Sequence, residues 1–181
     1  FVVVLATVFS PTRDGFPVFW KVDNQLNVLR QVSETGILAT AMTLVIIGGG
    51  IDLSVGSLLA LSGTVFAYTF ARKDWPLAMA VSAALFATTA FGFASGAIVA
   101  RMRMQPFIVT LAAMIGSRGF ARWLVDNATI DIGFGTGYVD RVIAFLALKR
   151  VVVPTFLIVA LLGYGLLRLT RFGRSLVAVG G

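Results

Sequence analysis

Long apolar runs separated by short polar segments dominate the chain, a pattern typical of membrane-spanning helices. A helix needs about 20 mostly apolar residues to cross a bilayer. The opening run at 1–9 fits the second half of a span, and the later spans are predicted at 28–47, a run that ends near 71, 77–100, 107–124 and 151–167. We therefore expect an all-α polytopic membrane protein with about six transmembrane segments.

The stretch that joins the second and third spans, residues 42–63, does not fit an ordinary membrane helix. Three consecutive glycines at 48–50 precede Asp52 and Ser54. Each glycine weakens a helix by about 1 kcal/mol relative to alanine, and a carboxylate is costly in lipid. The sequence therefore predicts a broken or re-entrant helix near 48–57, lined by protein or water. Asp52 or Ser54 is the expected N-cap of the helix that follows.

Polar segments between the apolar runs predict the connections, with proline and glycine as breakers. They are residues 10–27, 72–76, 101–105 and 125–150, the last with glycines at 133, 135 and 137 and a short interfacial helix expected at 143–148.

Three features inside the apolar runs carry specific expectations. Pro106 suits the first turn of a helix, where its missing amide proton is not needed. Arg118 lies deep in its run and needs a carbonyl, an acid or water as partner. Gly92 and Gly96 have the G-x-x-x-G spacing that allows close helix packing, or are simply the small residues common in bundled membrane helices.

Composition supports the membrane class: 58% of the 181 residues are hydrophobic and 13% are charged, against about 25% charged in soluble domains. The absence of cysteine and histidine excludes disulfides, thiol nucleophiles and the commonest metal ligands from this stretch. We expect no catalytic residues, no metal and no cofactor. The net charge of +7 comes from basic residues at the ends of apolar runs, which indicates membrane interfaces rather than nucleic acid.

The ends of the chain and its orientation are less determined. Both ends lie in or beside apolar or basic segments, so we expect residues 1–181 to be the N-terminal part of a longer chain. A signal-peptide core is the alternative for residues 1–9, but no basic segment precedes them and no cleavage site follows. Alternating spans put 101–105 and the segment after 168 on one side. That side carries fewer basic residues than the other, so charge alone does not orient the chain.

Three separated stretches resemble one family, the permease subunits of sugar-type ABC importers (the ribose, xylose, arabinose and galactose group). They read GGGIDLSVGSLLALSG at 48–63, QPFIVTL at 105–111 with Arg118-Gly119 beyond it, and TRFGR at 170–174 with AVGG at 178–181. Their order and spacing also agree with that family. The chain departs from the pattern in its third glycine, Gly48, and in the glycine-rich loop at 125–150.

The resemblance implies a transport subunit, not an enzyme, in the bacterial inner membrane. It implies a single permease domain over 1–181, belonging to a subunit of about ten spans. The implied partners are a cytoplasmic ATP-binding subunit, a periplasmic solute-binding protein, a second permease subunit and lipid. The segment after Arg168 is then cytoplasmic and 125–150 periplasmic. The residues that it suggests for the solute path are Gly49, Gly50, Asp52, Ser54, Ser57, Phe107 and Thr110, and those for coupling to the ATPase are Arg171, Phe172, Gly173 and Arg174.

Several interpretations stay open at this point. Asp52 caps a helix, contacts the solute, or pairs with an arginine such as Arg118. Arg171 and Arg174 anchor the chain at the interface or begin the surface that touches the ATPase. The rival functions are a branched-chain amino-acid ABC permease, or half of a secondary transporter or channel with buried coupling charges.

Overall fold

The computed structural model describes residues 1–13, 16–132 and 137–181, and most of this part is helical. Helix α1 is followed by two short strands, β1 and β2, which pair antiparallel with Thr12 opposite Pro17. A 3₁₀ turn at Val18–Trp20 leads into α2, and a π turn at Tyr68–Arg72 continues α3. The elements are α1 (Val2–Val8), β1 (Thr12–Arg13), β2 (Phe16–Pro17), α2 (Val22–Ile47), α3 (Val55–Ala67), α4 (Leu77–Met102), α5 (Pro106–Leu124), α6 (Tyr138–Leu146), α7 (Lys149–Leu169) and α8 (Arg171–Gly180).

The apolar pattern predicted the main helices well, and the fold is that of a helical membrane protein. Among the described residues, α4 and α7 are long and apolar enough to cross a bilayer. Pro106 is in the first turn of α5, as expected. The total of six spans stays a prediction.

Two boundaries were wrong. The loop predicted up to residue 27 ends at Lys21, because α2 begins at Val22. A helix can carry polar residues in its first turns when these stay at the surface, and here Arg30 pairs with Glu34 at 3.2 Å, one turn apart. The short helix expected at 143–148 is α6, Tyr138–Leu146, and α7 begins directly after it. Of the glycines in that loop, those at 133 and 135 lie outside the described residues.

Helices α2 and α7 run side by side in the same direction. Lys149 at the start of α7 pairs with Asp23 at the start of α2, at 3.2 Å. Further along, a Cβ atom on Gly36 would meet the ring of Phe156, and one on Gly163 would lie 2.8 Å from the Thr40 methyl. The glycines therefore let the two helices approach closely along their length.

A second group of helices, α3, α4 and α5, packs around a small core. Leu61 and Val65 of α3 meet Ala84 of α4 and Ala121 of α5 there, all at least nine-tenths buried. The short connections between these helices favour neighbours in space. Arg103 ends α4 in the left-handed conformation, with φ of 51°.

The two helix groups are joined by residues 48–54, where the break predicted after the second span is present. It separates the 26-residue helix α2, which ends at Ile47, from α3, which begins at Val55. Helix α8 follows α7 and returns to the same place, where Leu176 contacts Gly48. The break, the end of α7 and α8 are therefore at one end of the molecule.

Candidate functional site

The glycine break begins as a regular helix C-cap. The amide of Gly49 donates to the carbonyl of Ile46 and the amide of Gly50 to that of Val45, both at 3.0 Å. This is the Schellman pattern, which needs a left-handed residue just after the helix. Gly49 has that conformation, with φ of 75°. Because an L side chain is strained there, the role of Gly49 is to turn the chain.

Asp52 and Ser54 form a local turn in front of α3. One carboxylate oxygen of Asp52 accepts from the amide of Ser54 at 2.7 Å and from its hydroxyl at 2.6 Å. Ser54 occupies the N-cap position, as predicted, but its side chain makes no capping bond to an α3 amide. The expectation that Asp52 caps a helical amide is therefore wrong in detail, because its carboxylate bonds to the residue before the helix.

Thr110 of α5 fastens the break to the second helix group. Its hydroxyl donates to the carbonyl of Ile51 at 3.1 Å and accepts from the amide of Leu53 at 3.2 Å. These two backbone groups lie outside regular structure, where no helix or strand supplies their hydrogen-bond partners. One nearly buried threonine therefore satisfies the loop on both sides of Asp52.

A second polar contact ties α3 to α5. Ser57 donates to the carbonyl of Ser54 at 2.7 Å, and Ser117 donates to the hydroxyl of Ser57 at 2.8 Å. All three serines are at least 98% buried. Hydrogen bonds between helices hold apolar bundles in register, each worth about 1 kcal/mol or less in membranes.

A cavity of about 300 Å³ opens beside this loop and is wide enough for a small polar solute. The C-terminal ends of α2 and α4 meet the N-terminal ends of α3 and α5 around it, with α8 as a further wall. Polar side chains come from the break, from Ser95 of α4 and from Thr110 of α5, and the rest of the lining is apolar or glycine. The lining residues that carry the argument are Gly50, Asp52, Ser54, Gly96, Thr110 and Leu176.

The structure divides the residues that the sequence suggested for the solute path. Gly50, Asp52, Ser54 and Thr110 line the cavity together. The other three are not part of its lining. Gly49 forms the turn, and Ser57 is hydrogen-bonded to Ser117 between α3 and α5. Phe107 lies elsewhere on α5 and is about half exposed. Their contribution to a solute path stays a prediction.

Sequence reasoning missed two sets of residues at this site. The α4 wall contains Gly92, Ser95 and Gly96. A Cβ atom on either of these glycines would meet no described heavy atom within 4 Å, so here the small residues leave space rather than bring helices together. Ser117 was also missed, because a serine inside an apolar run carries no signal of its partner.

Helix α8 contains the residues that the sequence suggested for coupling. The Thr170 hydroxyl accepts from the Gly173 amide at 3.2 Å and so caps the helix. Arg171, Phe172 and Arg174 are exposed, while Gly173 is buried against the backbone of Leu167. The turn therefore presents two cations and an aromatic ring on its outer surface.

Arg118 does not reach Asp52. Within the described part of the chain it forms no ion pair, and its side chain is exposed. It lines a separate space of about 310 Å³ with Thr64 and Arg122. The suggested pairing of Asp52 with Arg118 is therefore wrong, since the Asp52 carboxylate is used by Ser54.

Comparison with known proteins gives a consistent result. A family model described as "Branched-chain amino acid transport system / permease component" matches residues 24–181. The chain is 41% identical over 169 residues to the ribose import permease protein of Escherichia coli K12 and 34% identical over 181 residues to that of Bacillus subtilis. It is 36% identical over 130 residues to the xylose transport system permease protein of Escherichia coli K12.

These matches cover most of this chain but a smaller share of each relative. The matches cover 91%, 99% and 72% of this chain, and 52%, 54% and 33% of the three relatives. The chain thus spans about half the length of the ribose permeases that it matches. No solved structure gives a significant match.

Proposed function

The chain belongs to the family of branched-chain amino acid transport system permease components, and from this membership we propose that it forms the solute path of an ATP-driven importer. The solute that we propose is a sugar or a similar polyol. The observation that carries the proposal is the identity of 34–41% to ribose import permeases over most of the chain. The resemblance of the three sequence motifs to sugar permeases points the same way.

The cavity chemistry supports a neutral polar solute. Its polar lining consists of a carboxylate, hydroxyl groups and loop backbone beside apolar walls. The hydroxyls of Ser54, Ser95 and Thr110 already donate within the protein, so the cavity offers chiefly hydrogen-bond acceptors to the hydroxyl groups of an uncharged sugar.

The proposed assembly follows from the family. Residues 1–181 form one permease domain with about six spans, part of a longer subunit in the bacterial inner membrane. Its partners are an ATP-binding subunit, a solute-binding protein outside the membrane, a second permease subunit and lipid, with no role for nucleic acid or a cofactor. Arg171, Phe172, Gly173 and Arg174 of α8 begin the surface that faces the ATP-binding subunit.

Uptake in a reconstituted system tests this function. The full-length subunit is placed in proteoliposomes with the ATPase and binding protein encoded beside it, and uptake of labelled ribose, xylose and fructose is measured. We expect uptake of one of these sugars that requires ATP and the binding protein, with an ATPase variant unable to hydrolyse ATP as control. Uptake of leucine instead of sugar, or uptake that follows an ion gradient without ATP, contradicts the proposal.

The coupling role of α8 has its own test. Arg174→Glu reverses one exposed charge on the turn, and Ser175→Ala alters the neighbouring exposed residue without a charge. If the turn touches the ATPase, Arg174→Glu abolishes stimulation of ATP hydrolysis by the loaded binding protein, and Ser175→Ala does not. Full uptake and full stimulation in Arg174→Glu reduce the turn to an interfacial anchor.

A further inference from the structure

Asp52 is the one charged residue among the described residues that line the cavity beside the break. One of its carboxylate oxygens, Oδ1, accepts from the amide and from the hydroxyl of Ser54, at 2.7 and 2.6 Å. The other oxygen, Oδ2, forms no hydrogen bond or ion pair with any residue that the structure describes. Because the side chain is partly exposed and lines the cavity, this oxygen is available to a solute.

The groups around Asp52 do not compensate its charge. The Ser54 hydroxyl donates to Asp52 itself, whereas Ser95 donates to a carbonyl of its own helix and Thr110 to a carbonyl of the loop. Two helix starts and two helix ends meet at the cavity, so the partial charges of the helix termini largely offset one another. The carboxylate therefore sets the sign of the charge inside the cavity.

The cations at this end of the molecule are outside the cavity. Four basic residues that neighbour the lining in sequence are exposed and are not part of it, namely Arg101, Arg103, Arg171 and Arg174. Salt in the surrounding water screens exposed charges over about 10 Å or less, while a charge inside a mostly apolar cavity acts through a lower dielectric. A solute in the cavity therefore experiences chiefly the charge of Asp52.

We propose that Asp52 determines which solutes the cavity accepts by their charge. Its free oxygen accepts hydrogen bonds from the hydroxyl groups of an uncharged polyol, and Ser54 fixes the direction in which that oxygen points. Sugar acids and sugar phosphates are excluded, because their carboxylate or phosphate group is repelled by the same oxygen and finds few donors beside it. This inference rests on the proposed function, since it names the solute class that the same cavity takes.

Asp52→Asn separates the charge from the hydrogen bonds. The amide oxygen of asparagine still accepts from the Ser54 amide and hydroxyl, so the turn in front of α3 is retained while the charge is lost. The matched control is Asp74→Asn, the same change on an exposed residue outside the cavity lining. Asp74 has φ of 53°, a conformation that asparagine tolerates.

A thiol in the cavity measures the charge directly. Gly96→Cys is introduced into the full-length subunit after replacement of any other cysteine, since Gly96 lines the cavity and its Cβ position has no described heavy atom within 4 Å. The purified subunit in detergent is treated with a cationic (trimethylammonium) or an anionic (sulfonate) methanethiosulfonate. Each rate is divided by the rate with a free thiol in solution, and the ratio of cationic to anionic rates is taken.

We expect Asp52→Asn to lower this ratio at least about fivefold, because the two reagents respond to the lost charge in opposite directions. Asp74→Asn leaves the ratio unchanged. Ser95→Cys replaces Gly96→Cys if the latter does not fold, since Ser95 also lines the cavity.

Protection by solutes tests selectivity with the same thiol and an uncharged methanethiosulfonate. Ribose, xylose and fructose are the neutral probes, and ribonate and xylonate are the anionic ones. We expect a neutral sugar to slow modification of the thiol when Asp52 is present, and its sugar acid to do so only in Asp52→Asn. A purely structural role of Asp52 does not change the preference between the two solutes.

The outcomes separate the charge selectivity from the function. Equal rate ratios with Asp52 and with Asp52→Asn overturn the proposal, and so does equal protection by a sugar and its acid when Asp52 is present. A lack of protection by all three sugars, or a thiol at 96 or 95 that no reagent reaches, overturns it as well. None of these measurements uses ATP. Absence of ATP-driven sugar uptake in the wild-type assembly is instead a failure of the proposed function, and it is measured separately.

Discussion

At the residue scale, Thr110 has the most consequential side chain of the site. It satisfies the carbonyl of Ile51 and the amide of Leu53 with one hydroxyl, across a separation of 57 to 59 residues. The isosteric change Thr110→Val leaves both groups unsatisfied. Because both hydrogen bonds are part-buried, losing each of them costs about 0.5–1.5 kcal/mol.

We therefore expect Thr110→Val to lower the free energy of unfolding by roughly that amount and to reduce solute uptake, because the loop that positions Asp52 is released. Thr110→Ser keeps the hydroxyl and is the control, with stability and uptake close to wild type. Thermal unfolding of the detergent-solubilised subunit and uptake in proteoliposomes measure the two effects. If the valine and serine variants are equally stable, the hydroxyl does not hold the loop.

Replacement by alanine should change the stability of the protein in opposite directions at two of its glycines. Gly49 has φ of 75°, whereas Gly63 is in the middle of α3 with no described heavy atom within 4 Å of its Cβ position. Gly49→Ala should destabilise the fold by about 1–2 kcal/mol, because an L residue is strained in the left-handed region. Gly63→Ala should stabilise it by about 0.5–1 kcal/mol through helix propensity. Shifts of the same sign in unfolding measurements contradict this assignment.

At the scale of elements, the turn from α7 to α8 depends on Gly173. A Cβ atom there would clash with the backbone of Leu167, whereas one on Gly165 would meet the Leu169 methyl at an ordinary 4.0 Å. Backbone cannot move aside as a side chain can, so Gly173→Ala should cost about 1–3 kcal/mol and displace α8. Gly165→Ala is the matched control within α7.

The measurement for this pair is stimulation of ATP hydrolysis by the loaded binding protein, together with thermal unfolding. We expect Gly173→Ala to lose stimulation and Gly165→Ala to retain it. Wild-type stimulation in Gly173→Ala shows that the angle between α7 and α8 does not matter for coupling.

The elements themselves were largely predictable from the sequence, because apolar runs of sufficient length leave few alternatives to helix. Pro106 and the three glycines marked a helix start and a helix end through local backbone chemistry. The start of α2 was missed because its first turns are polar, and exposed polar residues fit helix and loop equally well. The sequence also does not distinguish a turn in which Asp52 bonds to Ser54 from a cap in which Asp52 bonds to a helix amide, because both use the same residue types at the same place.

Contacts between distant segments were not predictable in the same way. Ser117 meets Ser57 across 60 residues, and Leu176 meets Gly48 across more than a hundred. No periodicity in either segment names its partner, since such pairs depend on how the helix groups are placed. The lining of the cavity therefore came from the structure, while the sequence located only its polar loop.

At the scale of the whole molecule, the helix directions place the ends of the elements on two sides. The break, the turn at 103–105 and α8 share one side, because α2 and α7 run in the same direction and the cavity joins the ends of α2 and α4 to the start of α5. The turn at 73–76 and the residues after α5 lie at the other ends of their helices. The distribution of basic residues does not determine which of the two sides faces the cytoplasm. Chemical labelling from outside the cell can determine it.

Single cysteines decide the orientation, since residues 1–181 contain no cysteine of their own. Met104→Cys and Ser175→Cys mark the side of the break, and Asp74→Cys and Asn127→Cys mark the opposite side, all four positions being exposed. If α8 faces the ATP-binding subunit, an impermeant maleimide labels positions 74 and 127 in intact cells and reaches 104 and 175 only after permeabilisation. The reverse pattern removes α8 from the ATPase side and with it the coupling role of Arg174. A mixed pattern, in which 104 and 175 differ, contradicts the placement of the break, the turn at 103–105 and α8 on one side.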